Sequence, residues 1–168
     1  MTNQLEAPES TRSFAGNEIR ANYEVWLTAL RELLALLPQS EPYLHETFNV
    51  RETTNPREIF AHVILAAYRH FNWIASQLGV SFTPYDTKGT LARLNNVESI
   101  DAFLQEYEVL ANWAYHTVQS IEEDSLSIPP AQVWWPDWYT PVGMFEHTTV
   151  HVLRHIRQLK RMLAEKNS

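Results

Sequence analysis

Histidines fall at 147, 151 and 155 in the stretch FEHTTVHVLRHIRQL, three of the seven in a chain of 168 residues. On a helix, residues four apart stand one above the other, so neighbouring imidazoles of this row come within contact range. Two imidazole nitrogens one turn apart suit adjacent positions on a tetrahedral or octahedral ion such as Zn²⁺ or Ni²⁺. The chain has no cysteine, which removes thiolate ligands, disulfides and cysteine nucleophiles together. A metal here is therefore held by nitrogen and oxygen, and a third ligand has to come from another segment. The stretch EIFAHVILAAYRHFNWI offers His62 and His70.

Helices have to position these side chains, and the sequence predicts four long ones. Four glycines among many Leu, Ala, Glu and Arg residues point to helices with few tight hairpins. After a polar tail over residues 1–14, expected to be disordered, a single domain over 15–168 is expected. Helix 1 is predicted from about Gly16 to Leu37, with Tyr23, Trp26, Leu27, Leu30, Leu33 and Leu34 at helical spacing and Pro38 as its stop. Helix 2 has Asn55 as N-cap, Pro56 at its first position and Glu58 at the positive end of the dipole, and it ends near Leu78 at Gly79. A connection of about twenty residues follows, long enough to hold a short helix. Helix 3 is predicted from about Val97 to Glu123. Helix 4 is capped by Thr140, opened by Pro141 and runs to about Ala164. Four such helices make an all-α four-helix bundle with a long connection between helices 2 and 3.

At 100° per residue, Phe145, Val152, Ile156, Leu159 and Leu163 mark the buried stripe of helix 4. His155 lies nearest to it, His151 on its shoulder and His147 far round toward the opposite face. On helix 2 the stripe is Phe60, Val63, Ala67, Phe71 and Ile74, with His70 closer to it and His62 on the flank beside Ala66 and Trp73. Spacing alone does not choose between His62 and His70.

Composition excludes several classes. Twenty acidic against thirteen basic residues give a formal charge of −7 with no basic run, which argues against nucleic acid as a partner. No apolar run approaches the ~20 residues of a membrane span. The first residues have neither the basic nor the apolar region of a signal peptide, so a cytoplasmic protein is expected. Glu58, Glu106, Glu108 and Glu146 are the carboxylates placed as candidate general bases, with solvated or dipole-favourable roles as the simpler reading. In VWWPDWY, Trp134, Trp135, Trp138 and Tyr139 lead into helix 4. They are expected to plug one end of the core or form a dimer contact, with a substrate wall as the second reading. Asp137 is placed to cap the helix or to orient a ligand histidine.

The pair of motifs EIFAHVILAAYRHFNWI on the second helix and TPVGMFEHTTVHVLRHIRQLKRML on the fourth resembles the DinB-like (DinB/YfiT-like) superfamily of metalloenzymes. The likeness runs from about residue 16 onward and includes the helix order and the long connection. IFAH at Ile59 to His62 and HIRQL at His155 to Leu159 match the family pattern. The resemblance implies one divalent metal held by His62, His151 and His155, with His70 in reserve and His147 exposed or supporting. It implies thiol-dependent transfer as the first chemistry, with a low-molecular-weight thiol as the small-molecule substrate; a metal with an open position also suits metal-dependent hydrolysis, the second reading. A non-catalytic homodimer with structural histidines is the alternative of another kind.

Overall fold

The computed structural model describes residues 17–50, 52–80, 86–121 and 128–166, and it is mostly helical. Helix α1 (Asn17–Leu34) is followed by a one-turn helix α2 (Leu37–Ser40) and a 3-10 turn (Glu41–Tyr43). A ribbon of β1 (Phe48–Val50) and β2 (Glu52–Thr54) precedes α3 (Pro56–Gln77). Then come α4 (Thr87–Leu94), α5 (Ile100–Gln119), a second ribbon of β3 (Ala131–Gln132) and β4 (Trp138–Tyr139), and α6 (Pro141–Lys166). The expected tail over 1–14 and the expected start at Gly16 lie outside the described residues.

Local chemistry sets the ends of α3, the helix that carries His62. The Asn55 side chain accepts from the Glu58 backbone N–H at 2.9 Å, while the Glu58 carboxylate accepts from the Asn55 N–H at 3.4 Å and from the Thr54 hydroxyl at 2.8 Å. This reciprocal capping box satisfies helix-end donors that would otherwise be orphaned, and contributes about 1 kcal/mol. At the other end Gly79 has φ +64. The Val80 N–H donates to Ala75 O at 3.0 Å and the Gly79 N–H to Ser76 O at 3.4 Å, the double closure that a left-handed residue permits. Helix α6 opens as the sequence predicts, with the Thr140 hydroxyl accepting from the Gly143 N–H at 3.0 Å.

Three expectations change. Helix α1 ends at Leu34, and Pro38 opens α2 instead of stopping α1 at Leu37. A proline ring clashes with the carbonyl four residues before it, so its effect falls on Leu34, while proline itself is tolerated in a first turn. Helix α5 spans Ile100–Gln119 instead of Val97 to Glu123. Two short ribbons form without glycine at their turns. The connection after α3 holds a short helix, as its length allows: α4, whose N-terminus is capped by Asp86.

Helix α6 packs against both α1 and α3, α3 also against α5, and α1 against α5. Aromatic rings join these layers. Phe71 meets Trp26 of α1 edge-on at 5.0 Å and Phe145 of α6 at 5.4 Å, and Phe60 meets Phe103 of α5 at 5.7 Å. All five are fully buried or nearly so, each contributing about 1.5–3 kcal/mol by burial. Along this core α3 and α6 run in opposite directions, since His62 meets His151 and His155 whereas His70, further along α3, meets Thr148. Among the described residues no helix is long and apolar enough to cross a membrane.

Candidate metal centre

The antiparallel contact of α3 and α6 brings together three histidines from positions far apart in the sequence. The ring centroids of His62, His151 and His155 form a near-equilateral triangle, with separations of 4.9, 5.0 and 4.7 Å. One ring nitrogen from each falls within 4.8 Å of the others, so the group could hold a metal ion. His155 is buried, His151 is partly exposed and His62 is exposed. The group therefore has a deep end on α6 and a side open to solvent.

Hydrogen bonds decide what each nitrogen can offer. Gln158, one turn beyond His155, places its amide oxygen 3.0 Å from His155 Nδ1. An amide oxygen only accepts, so Nδ1 carries the proton and Nε2 keeps its lone pair. That Nε2 is buried with no hydrogen-bond partner among the described residues, a costly state for a polar atom. His62 Nε2 and His151 Nε2 are 3.0 Å apart. Without a metal, one of the two must donate to the other. Ligands at about 2.0–2.1 Å from one ion come to this spacing when they subtend roughly 95°, a cis pair. The orphaned acceptor and the facing nitrogens both fit a cation with three imidazole ligands.

Burial and neighbouring charge keep His151 and His155 neutral, the form that binds metal. Burial, then the charges of His155, His62, His70 and Arg154, push His151 down to about 2. Burial and His62 lower His155 to about 4, against the hydrogen bond it donates to Gln158, which raises it. At neutral pH protons do not compete for these two nitrogens.

His70 does not join the triad. It is buried, with Nδ1 3.0 Å from the Thr148 hydroxyl, and burial followed by the charge of His147 lowers it to about 3. His147 corrects the helical-wheel expectation. It stands on the same side as its neighbours, its ring stacked 6.2 Å from His151 and edge-on 5.2 Å from His70, and its Nδ1 is 3.2 Å from the Tyr139 hydroxyl. The wheel judged burial from the helix stripe alone, whereas the β3–β4 ribbon covers this flank. Asp137 neither caps α6, a role Thr140 fills, nor orients a triad histidine, a role Gln158 fills for His155. Glu58 is committed to the α3 cap and Glu106 to an ion pair with Arg93 at 2.7 Å, while Glu108 and Glu146 are exposed. Trp134 and Trp138 are 52% and 66% exposed, so neither plugs the core.

Gln158 is the functional residue whose role spacing alone left unread. Its signal is its place three residues after His155 on one helix face. Replacing it by leucine frees the His155 tautomer and orientation, and zinc affinity is expected to fall roughly 10–100-fold. Competition titration against a chromophoric chelator measures this, and an unchanged affinity would remove Gln158 from the site.

Comparison of the chain with protein-family models, with curated proteins and with solved structures finds no match. What fold and site define is a mostly helical protein with three histidines, open on one side, that could hold a metal.

Proposed function

We propose that the chain is a metal-dependent enzyme of the DinB-like type, a four-helix bundle in which His62, His151 and His155 hold one divalent ion, Zn²⁺ or Ni²⁺. Its reaction is transfer of a low-molecular-weight thiol to an electrophilic small molecule. The single observation that carries this is the buried His155 Nε2, left with a bare lone pair by the Gln158 contact and directed to the group formed with His62 and His151. The packing of α6 between α1 and α3, with α5 closing on α3 and α1, supports the bundle.

A bound divalent ion with an open position supplies Lewis acidity, which brings a coordinated thiol or water toward its anion near neutral pH. The chain's own residues do the rest. Gln158 fixes the His155 tautomer, burial keeps His151 and His155 unprotonated, and His62 stands at the exposed rim where a substrate enters. The group contains histidines alone. A thiol with a pKa of about 8.5 needs much less help to ionise than water does, which suits a group without a carboxylate base.

The test is metal content followed by turnover. Purified protein dialysed against Zn²⁺ or Ni²⁺ is expected to hold roughly one ion per chain, and the loaded protein to consume N-acetylcysteine with 1-chloro-2,4-dinitrobenzene in a saturable, chelator-sensitive way. Absence of stoichiometric metal rejects the proposal. Metal binding with hydrolysis of p-nitrophenyl acetate and no thiol transfer would replace it with the hydrolase.

A further inference from the structure

Aromatic rings continue without a break from the histidine triad to the surface. His151 meets His70 at 5.7 Å, and His70 is stacked beneath Trp134 at 5.7 Å with an interplanar angle of 24°. Trp135 stands perpendicular to Trp134, 4.6 Å away at 89°, and rests on His147 at 5.5 Å and Tyr139 at 5.8 Å. The β3–β4 ribbon holds both indoles in place. Ala131 pairs with Tyr139 and Gln132 with Trp138, and the tip is closed by the Val133 N–H donating to Asp137 O at 3.2 Å and the Asp137 N–H to Trp135 O at 2.8 Å. Val133 is buried and anchors the ribbon to the core.

Trp134 is 52% exposed, as expected of an indole with one face on His70 and the other in water. An indole held rigidly half-wet beside a metal-capable group costs hydrophobic burial, and such a surface marks a place where an apolar ligand sits. On α3 the residue between His62 and His70 at one-turn spacing is Ala66, small and partly exposed.

We infer that the β3–β4 ribbon is the specificity element of the site and takes the planar aromatic part of a substrate whose thiol end reaches His62, His151 and His155. This rests on the metal-centre reading above and adds the substrate class. Two perpendicular indoles form a corner in which a flat ring stacks on one and presents its edge to the other, the two arrangements that aromatic quadrupoles favour. An alkyl chain gains contact area there but no such preference. A second copy of the chain is a poorer occupant. One half-exposed indole and its partly buried neighbour fall well short of the ~800 Å² per partner of a stable interface, and each copy carries a formal charge of −7.

The experiment compares 4-phenylbutane-1-thiol with hexane-1-thiol on the zinc-loaded protein by calorimetry, for the wild type, Trp134→Ala and Trp134→Phe, with zinc affinity measured on each. The wild type is expected to bind the aromatic thiol roughly 5–10-fold more tightly. Trp134→Ala removes that preference with zinc affinity unchanged and hexanethiol affinity reduced far less than that of the aromatic thiol, and Trp134→Phe keeps most of it. Equal binding of the two thiols by the zinc-loaded wild type overturns the aromatic specificity and leaves the metal centre standing. A Trp134→Ala effect on both thiols alike, or a concentration-dependent change in oligomeric state on sizing columns, overturns it as well. Failure of the wild type to bind zinc defeats the metal centre itself, and the specificity with it.

Discussion

Replacing His155 by leucine is expected to abolish metal binding and at the same time stabilise the metal-free chain. The two effects have opposite signs because they come from the same atom. His155 Nε2 is buried without a partner, on a residue only 5% exposed, amid the apolar stripe of α6. An unsatisfied buried acceptor costs about 1–3 kcal/mol, and leucine fills a similar space with no polar group. Gln158, which is partly exposed, can turn its amide to water. The apo variant should therefore melt several degrees above the apo wild type. Loss of one imidazole of three removes on the order of 3 kcal/mol of binding, so zinc affinity falls by at least roughly 10²-fold. Thermal unfolding with chelator, beside zinc titration, reads both. An apo variant less stable than the wild type would show that His155 serves the fold, and the site reading would lose its central support. The combination expected here is a trade of stability for function.

Acidification is expected to unfold the metal-free chain well above the pH at which carboxylates titrate. His70 and His155 are held at about 3 and about 4 in the folded chain, against an unfolded value near 6.5. Where the folded value is depressed, the unfolded chain takes up protons first as pH falls. Above about pH 6.5 both states are neutral and these groups leave stability unchanged. Below it stability falls by about 1.4 kcal/mol per pH unit for each group, until the folded values are reached. Between pH 6.5 and pH 5 the two together remove on the order of 3–4 kcal/mol. Urea midpoints at pH 7.5, 6 and 5 with chelator present measure this, and His155→Leu should flatten the slope by about a third, since His151, held at about 2, adds a share of its own. A midpoint that does not move between pH 7.5 and 5 would mean that these histidines are protonated in the fold.

The parts legible in the sequence are those governed by neighbours along the chain. The Asn55–Pro56 start, the Gly79 stop and the Thr140–Pro141 start rest on hydrogen bonds spanning a few residues, and the structure has them all. Pro38 was legible as a break but not in position, because its steric effect falls on the carbonyl four residues earlier. The three-residue strands β1 and β2 were invisible, since their stability comes from pairing across the ribbon. Of the site, the grouping of His151 and His155 follows from helical spacing. Joining His62 to them depends on the register of α3 against α6, which no local pattern encodes. His147 was misplaced for a related reason, since the ribbon that faces it comes from another segment.

His62 and His151 are 89 positions apart in the chain and 3.0 Å apart in space. An ion bridging them ties off a loop that includes α4, α5 and the second ribbon, as a cross-link would. Closing so large a loop restricts the unfolded chain strongly, and an ion present at 1,000 times its dissociation constant adds about 4 kcal/mol to the folded state. The loaded chain would thus open its α3–α6 seam far more rarely than the empty one. The ion would be a removable fastener as well as a reagent, and its loss would leave the protein easier for proteases to clear.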